Sequence, residues 1–306
     1  MKHRYKIVYM GTPHYAKEIL ETLVGAEDMD VSLVLTQPDR PVGRKKIMTP
    51  PVVKVLAEEH GIEVLQPNRL CDEGIFEAIE NVKPDYIIVA AFGQILPKNI
   101  LDIAPCINLH ASLLPQYRGA SPVQQSLLNG DKITGVTSML MEEGLDTGDI
   151  LKKIEFVIPR EMRLGALMQQ LTKDAGTLTL HTLRQFKDIV PQKQNEAQAT
   201  LCKKIKKSDG EIAFKDALEI YNKYRAFEGW PGIFDSKGMK FDGITLVETE
   251  SENNAYEILF FIDNSVVIGC QKGSLKIDTF QPASKKPVQA KAYCVGRGLK
   301  VGHQII

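Results

Sequence analysis

Asn108 and His110 lie two residues apart in the run Cys106-Ile107-Asn108-Leu109-His110. Read as a strand, this run points both polar side chains to one face and packs Ile107 and Leu109 on the other. An amide that donates hydrogen bonds without ever carrying charge then stands beside an imidazole, the side chain that exchanges protons near neutral pH. Asp146 follows in Gly144-Leu145-Asp146-Thr147-Gly148-Asp149, a glycine-flanked acidic loop from which a carboxylate could reach an imidazole on a neighbouring strand. A single histidine at a strand end is more often a packed residue than a catalyst, so the signal lies in the combination. Two other readings use the same residues. A metal centre is weakly supported, because asparagine is an infrequent ligand and no second His or Cys stands at ligand spacing, so no metal is expected. A Ser112 nucleophile with His110 as its base is conceivable. However, Ser112 lies outside a Gly-x-Ser-x-Gly elbow, and Leu113, Leu114 and Pro115 suggest a shaped wall.

The elements that must position these groups read as α/β. Strands are expected at Lys6 to Met10, Val31 to Thr36, Tyr86 to Ala90, Cys106 to His110, Thr134 to Met141 and Ile150 to Ile158. A helix is expected to run from the Gly11-Thr12-Pro13 break to about Val24, and helical spacing covers Val52 to His60, Cys71 to Asn81, Pro122 to Asn129 and Arg163 to Ile189. Alternation of this kind implies a doubly wound, mostly parallel sheet, with the Asn108–His110 pair at a strand's carboxyl end, where ligand crevices form. The first strand-to-helix turn lacks the Gly-x-Gly-x-x-Gly fingerprint, which argues against dinucleotide binding. From Val190 the chain turns polar and glutamine-rich, making 190–207 the expected linker between a catalytic domain at 1–189 and a second domain at 208–306. After a short helix at Lys215 to Ala226, the runs Lys240 to Glu248, Tyr256 to Ile262, Ser265 to Gln271 and Ser274 to Phe280 suggest a small β-barrel.

A chain of 306 residues is comfortable for two such domains, and 43% apolar content supplies a core. With 38 basic and 38 acidic side chains the formal charge is zero, so bulk charge decides nothing about nucleic acid. The five cysteines, an odd count without Cys-x-x-Cys spacing, argue against a disulfide framework or a zinc site and for a cytoplasmic protein. No apolar run approaches the roughly eighteen residues of a membrane span, so neither export nor membrane insertion is expected.

Taken together, Asn-Leu-His-Ala-Ser-Leu-Leu-Pro-x-Tyr-Arg-Gly-Ala-Ser-Pro at 108–122 and the Gly135 to Asp149 segment closely resemble the signature of the 10-formyltetrahydrofolate-dependent formyltransferases. Further matching stretches are Met10-Gly11-Thr12-Pro13, Thr36 to Lys46, Ala91 to Pro97 and Gln281 to Lys286. The resemblance implies a Rossmann-like formyltransferase domain followed by an OB-like barrel. It also implies 10-formyltetrahydrofolate as formyl donor, methionyl initiator tRNA as acceptor and a role in translation initiation. Moving a formyl group between nitrogens is acyl transfer through a tetrahedral intermediate, which needs oxyanion donors and a proton route. Asn108 suits the first and His110 either, with Asp146 orienting the ring and favouring its protonated form. By the same resemblance Phe92, Gln94, Ile95, Leu96, Ser112, Leu113, Leu114, Pro115 and Gly144 surround the folate.

The acceptor is written in local charge. Arg40, Arg44, Lys45, Lys46 and Lys54 occupy a Pro-rich stretch without an acid, expected as a long irregular loop at the same sheet edge as the site. Lys203 to Lys207 and an acid-free carboxyl-terminal stretch with Lys285 and Lys286 add to it. Such runs are usually solvated surface, but several in a neutral protein suggest a path for phosphates. Arg40, Arg44, Lys45, Lys46, Lys204, Lys206, Lys207, Lys285 and Lys286 are therefore the expected tRNA contacts. The resemblance gives the loop to the acceptor stem and the second domain to the inner face of the L, with the protein acting as a monomer. Two stretches depart from the family: Arg44 abuts Lys45-Lys46 without the usual glycine, and Glu228-Gly229 stands where Asn-Pro is common. Formylation of an amino sugar or a glycinamide, hydrolysis of the folate donor, and a non-catalytic RNA-binding role remain as alternatives. None of the enzymatic alternatives needs the basic loop, and the last leaves Asn108, His110 and Asp146 unexplained.

Overall fold

The computed structural model describes residues 4–43 and 45–305. In chain order the elements are β1 (Tyr5–Gly11), α1 (His14–Val24), β2 (Met29–Leu35), β3 (Arg40–Val42), β4 (Ile47–Thr49), α2 (Val52–Glu59), β5 (Glu63–Leu65), α3 (Ile75–Val82), β6 (Tyr86–Ala90), α4 (Lys98–Leu101), β7 (Cys106–His110) and β8 (Arg118–Gly119). There follow α5 (Pro122–Leu128), β9 (Ile133–Leu140), β10 (Ile150–Val157), α6 (Leu164–Gln185), β11 (Leu201–Cys202) and α7 (Ala217–Ala226). The carboxyl-terminal part adds β12 (Lys240–Glu252), β13 (Ile258–Ile262), β14 (Ser265–Gly269), β15 (Lys272–Gln281), β16 (Val288–Gln289) and α8 (Ala290–Val295).

The chain forms two compact units: Met1–Pro122 with Ile133–Ile158 and Ala166–Lys203, and Val123–Lys132 with Pro159–Gly165 and Lys204–Ile306. The first holds a seven-stranded sheet of order β10-β9-β7-β6-β1-β2-β5. Strands β5, β2, β1, β6 and β7 are parallel, as the alternating pattern implies, whereas β9 runs antiparallel to both β7 and β10. Strands β6 and β7 are buried along their whole length, as expected of central parallel strands covered on both faces. Helix α1 buries Tyr15, Ala16, Ile19, Leu20 and Leu23 as one stripe, and α6 buries Leu167, Leu171, Ala175, Leu178 and Leu183. One core cluster joins Val8, Met10, Leu33, Leu35, Ile87 and Val89 to Phe92, Leu96 and Ile100. The loops leaving β1, β2 and β6 are stitched together beyond it. Thr12 Oγ1 and Gln37 Nε2 both donate to the Phe92 carbonyl, at 3.3 and 3.2 Å.

The basic stretch expected as irregular loop is instead a β-hairpin: Arg40 pairs with Thr49 and Val42 with Ile47 across a turn opened by Gly43. All six strand residues are exposed, so no burial alternation marks them in the sequence. Helix α3 begins four residues later than its apolar spacing suggests, after a turn in which Asp72 Oδ2 accepts from the Arg69 amide.

The second unit is β-rich. Its antiparallel sheet runs β12-β15-β14-β13, with β16 on β15, and β14 is buried throughout. Phe214, Phe241, Phe280 and Tyr293 form a chain of edge-to-face ring contacts through its core. Asp216 caps α7 by accepting from the amides of Leu218 and Glu219.

Candidate active site

Strand β7 does what its alternation implies. Asn108 and His110 share a face, and both are buried. Asp146 joins them from the β9–β10 loop: Asn108 Nδ2 donates to its Oδ1 at 3.3 Å, and its Oδ2 lies 3.7 Å from His110 Nδ1. The acid lies 38 residues away in sequence and is held by the backbone, since the Gly119 amide donates to Oδ2 at 2.8 Å. Its own φ of 53° is left-handed, a conformation aspartate tolerates better than most residues.

The ring is not oriented as the sequence suggests. His110 Nε2 lies 2.9 Å from the Tyr117 carbonyl oxygen. A carbonyl only accepts, so Nε2 carries the hydrogen and, in the neutral ring, Nδ1 keeps its lone pair on the side of Asp146. At 3.7 Å the carboxylate is too far for a hydrogen bond to Nδ1 and acts on the ring through charge. Tyr117 itself has a left-handed φ of 59°, which turns its carbonyl inward.

Ser112 is fully buried, and its Oγ donates to the Gln116 carbonyl at 2.6 Å. With its hydroxyl hydrogen directed there, the serine-nucleophile reading has no structural support. Thr137, on β9 opposite His110, shapes the turn that follows: its Oγ1 accepts from Leu114 N and donates to the Ser112 carbonyl. Leu114 is buried against Met139 and Ile150, while Leu113 and Pro115 are half-buried.

The loop after β6 is also more structural than expected. The side chains of Phe92 and Leu96 belong to the core. Gln94 is tied down, its Oε1 accepting from Leu70 N and its Nε2 donating to the Pro67 carbonyl. Ile95 is 78% exposed, and Gly144 and Leu145 are exposed in the loop carrying Asp146. The loop after β6 therefore exposes Gly93 and the Ile95 side chain.

Of the basic residues, Arg40, Lys45 and Lys46 are exposed on the hairpin, and Arg44 lies outside the described residues. Lys54, in the same basic stretch, pairs its Nζ with Asp39 at 3.2 Å. Gln66 and Lys54 donate to that carboxylate and hold it below the usual carboxyl range. Lys204, Lys206, Lys207, Lys285 and Lys286 are exposed in the second unit.

Several contributors carried no signal of their own in the sequence. Tyr117, Arg118 and Gly119 lay inside the quoted motif but without an assigned role. Gln194, Glu196 and Thr200 escaped notice because they sit in the polar stretch expected as linker. A Cβ on Gly119, whose φ is 117°, would collide with the Cys202 carbonyl, so only glycine permits this close approach. Among the described residues no three His, Cys, Asp or Glu side chains converge as metal ligands, and no helix is long and apolar enough to cross a membrane.

Comparison with known proteins gives the family. The family described as formyl transferase matches residues 5–183, and its C-terminal domain matches residues 204–298. A methionyl-tRNA formyltransferase of Sulfurovum sp. is 73% identical over 303 residues, covering 99% of this chain and 100% of its own. One from Sulfurimonas denitrificans is 50% identical and covers 97% and 98%. Among solved structures, an N-formyltransferase from Helicobacter canadensis in complex with folinic acid and dTDP-3-aminofucose superposes with a TM-score of 0.67. At 19% identity, covering 90% of this chain and 98% of that one, it attests the fold. The chain belongs to the formyl transferase family.

Proposed function

We propose that this protein transfers the formyl group of 10-formyltetrahydrofolate to the amino group of methionyl initiator tRNA, in the cytoplasm, for translation initiation. End-to-end identity of 73% to a methionyl-tRNA formyltransferase carries the substrate assignment, and the His110 geometry carries the chemistry. The neutral α-amine of the methionyl ester attacks the formyl carbon, and as the C–N bond forms its nitrogen becomes acidic. His110 Nδ1, left with a lone pair because Nε2–H is given to Tyr117, accepts one proton from that nitrogen. As the new C–N bond forms, the carbonyl oxygen gains charge and takes a hydrogen bond from Asn108. The Asn108 amide has two hydrogens, one of which is directed to Asp146. The intermediate collapses by breaking the bond to N10 of the folate, and the proton passes from Nδ1 to that nitrogen. Asp146 stabilises the imidazolium between these steps by charge.

The folate lies against the backbone of 92–96, Ile95, the 112–115 turn and the Gly144 loop. The acceptor stem meets the hairpin through Arg40, Arg44, Lys45 and Lys46. Lys204, Lys206, Lys207, Lys285 and Lys286 of the carboxyl-terminal domain meet the inner face of the L, and the protein acts as a monomer. Exposure of the hairpin, including Ile47 and Met48 at 62% and 60%, supports its role as a contact element. The test is purified protein with 10-formyltetrahydrofolate and charged initiator tRNA, beside uncharged tRNA and free methionine. Formylation of the charged tRNA alone is expected. Equal use of free methionine, or no product on charged tRNA, would sink the proposal.

A further inference from the structure

The segment 192–202 forms a strap across the supports of both His110 and Asp146. Its first anchor is a pair of backbone hydrogen bonds between Gln192 and Ile150, each 2.8 Å. Gln194 comes next and is buried. Its Nε2 donates to the carbonyls of Asp146 and Gly148, both at 2.8 Å, and its Oε1 accepts from Arg118 Nε and Nη2 at 3.0 and 2.8 Å. Both amide hydrogens and both lone pairs of this one side chain are thereby used. Arg118, also buried, is neutralised by Glu196, which its guanidinium holds below the usual carboxyl range.

Farther along, Thr200 Oγ1 accepts from Tyr117 N at 2.8 Å, and the Thr200 carbonyl accepts from Arg118 N at 2.9 Å. Leu201 and Cys202 then pair in parallel with Arg118 and Gly119. The strap thus grips the loop that carries Asp146, the peptide whose amide binds Asp146 Oδ2, and the residue whose carbonyl binds His110 Nε2–H. A buried Arg beside a buried Gln would be a poor choice for stability alone, because two polar groups must be desolvated and matched. The Gln194 amide donates to the backbone of the acidic loop, and Arg118 fixes that amide from behind.

We infer that Gln194 is a positioning residue for formyl transfer, acting through Asp146, and that the 192–202 strap sets the geometry of the catalytic pair. The inference rests on the roles given above to His110 and Asp146. Displacing a reacting group by about 1 Å costs on the order of 100-fold in rate, so the strap's effect belongs in kcat.

Gln194→Glu keeps the size and the acceptor for Arg118 but turns a carboxylate toward two carbonyls. Single-turnover transfer should fall by about 10- to 100-fold, with half-saturation for tRNA and folate within about threefold of the parent. Combined with Asp146→Asn, the two losses should be far less than multiplicative, because both act on the same group. Should Gln194→Glu fold poorly, Thr200→Val at an exposed position removes only the acceptor for Tyr117 N and should lower kcat on the histidine side. It should then be non-additive with His110→Ala. Parental kcat in both variants, multiplicative losses in the double variants, or an effect confined to half-saturation would overturn the inference. An inactive parental protein would instead defeat the functional reading. Parental activity in Asp146→Asn would defeat the role of that residue and, with it, a strap acting through it.

Discussion

The Asn108–His110 face of β7 and the hairpin that follows β2, with β6 and β1 between those two strands in the sheet, are built in opposite ways. Asn108 and His110 are 8% and 6% exposed, with Asn108 Nδ2 donating to Asp146 and His110 Nε2 to the Tyr117 carbonyl. On the hairpin Val42, Ile47 and Met48 are each more than half exposed, and Arg40 donates to Gln37 at 2.9 Å. The contrast fits the tasks proposed for them. Charge that develops during acyl transfer is stabilised only by dipoles already in place, which requires a rigid, desolvated site. Phosphate contacts draw on charge and counterion release and tolerate mobile, solvated side chains.

Substitutions that separate rate from binding would sharpen this contrast, and any that move both together would break it. The largest effect is expected for His110→Ala, which should lower kcat by about 10² to 10⁴-fold while sparing tRNA affinity in a binding assay. Asn108→Ala should cost about 10² to 10³-fold in kcat, and it should tighten neither substrate. Lys45→Ala with Lys46→Ala should instead raise half-saturation for tRNA. It should also flatten the dependence of log affinity on log salt by roughly one per lost phosphate contact, read from titrations at several salt concentrations.

The smallest effect belongs to Glu196→Gln. Glu196 is a carboxyl whose pKa is lowered in the folded state by Arg118. Its contribution to stability is complete above the ordinary carboxyl range and is lost as the pH falls through the lowered value. The melting temperature of the parent should therefore exceed that of the variant near neutral pH, with the gap closing in acid.

How much of this was legible in the sequence depends on where each residue's partners lie. Strand β7 was readable because Ile107 and Leu109 alternate with the polar pair, and the core strands because their apolar runs are continuous. The hairpin was not, since its residues bury nothing and leave no periodic trace. His110 and Asp146 were found as members of a motif, but the ring's orientation was missed: its partner is the carbonyl of Tyr117, and a carbonyl is present at every residue. Gln194 was least legible of all. Its hydrogen bonds reach Asp146 and Arg118, 48 and 76 residues away, and in sequence it is one glutamine among several in a polar stretch.

The central claim is that Asn108, His110 and Asp146 perform the transfer while the exposed basic hairpin captures the RNA. It is tested most directly by single-turnover formylation of methionyl initiator tRNA as a function of tRNA concentration, with His110→Ala and Lys45→Ala/Lys46→Ala run side by side. The account predicts a collapsed plateau with unchanged half-saturation for the first, and a preserved plateau reached at higher tRNA for the second. A preserved plateau for His110→Ala, or a collapsed one for the lysine pair, would contradict it.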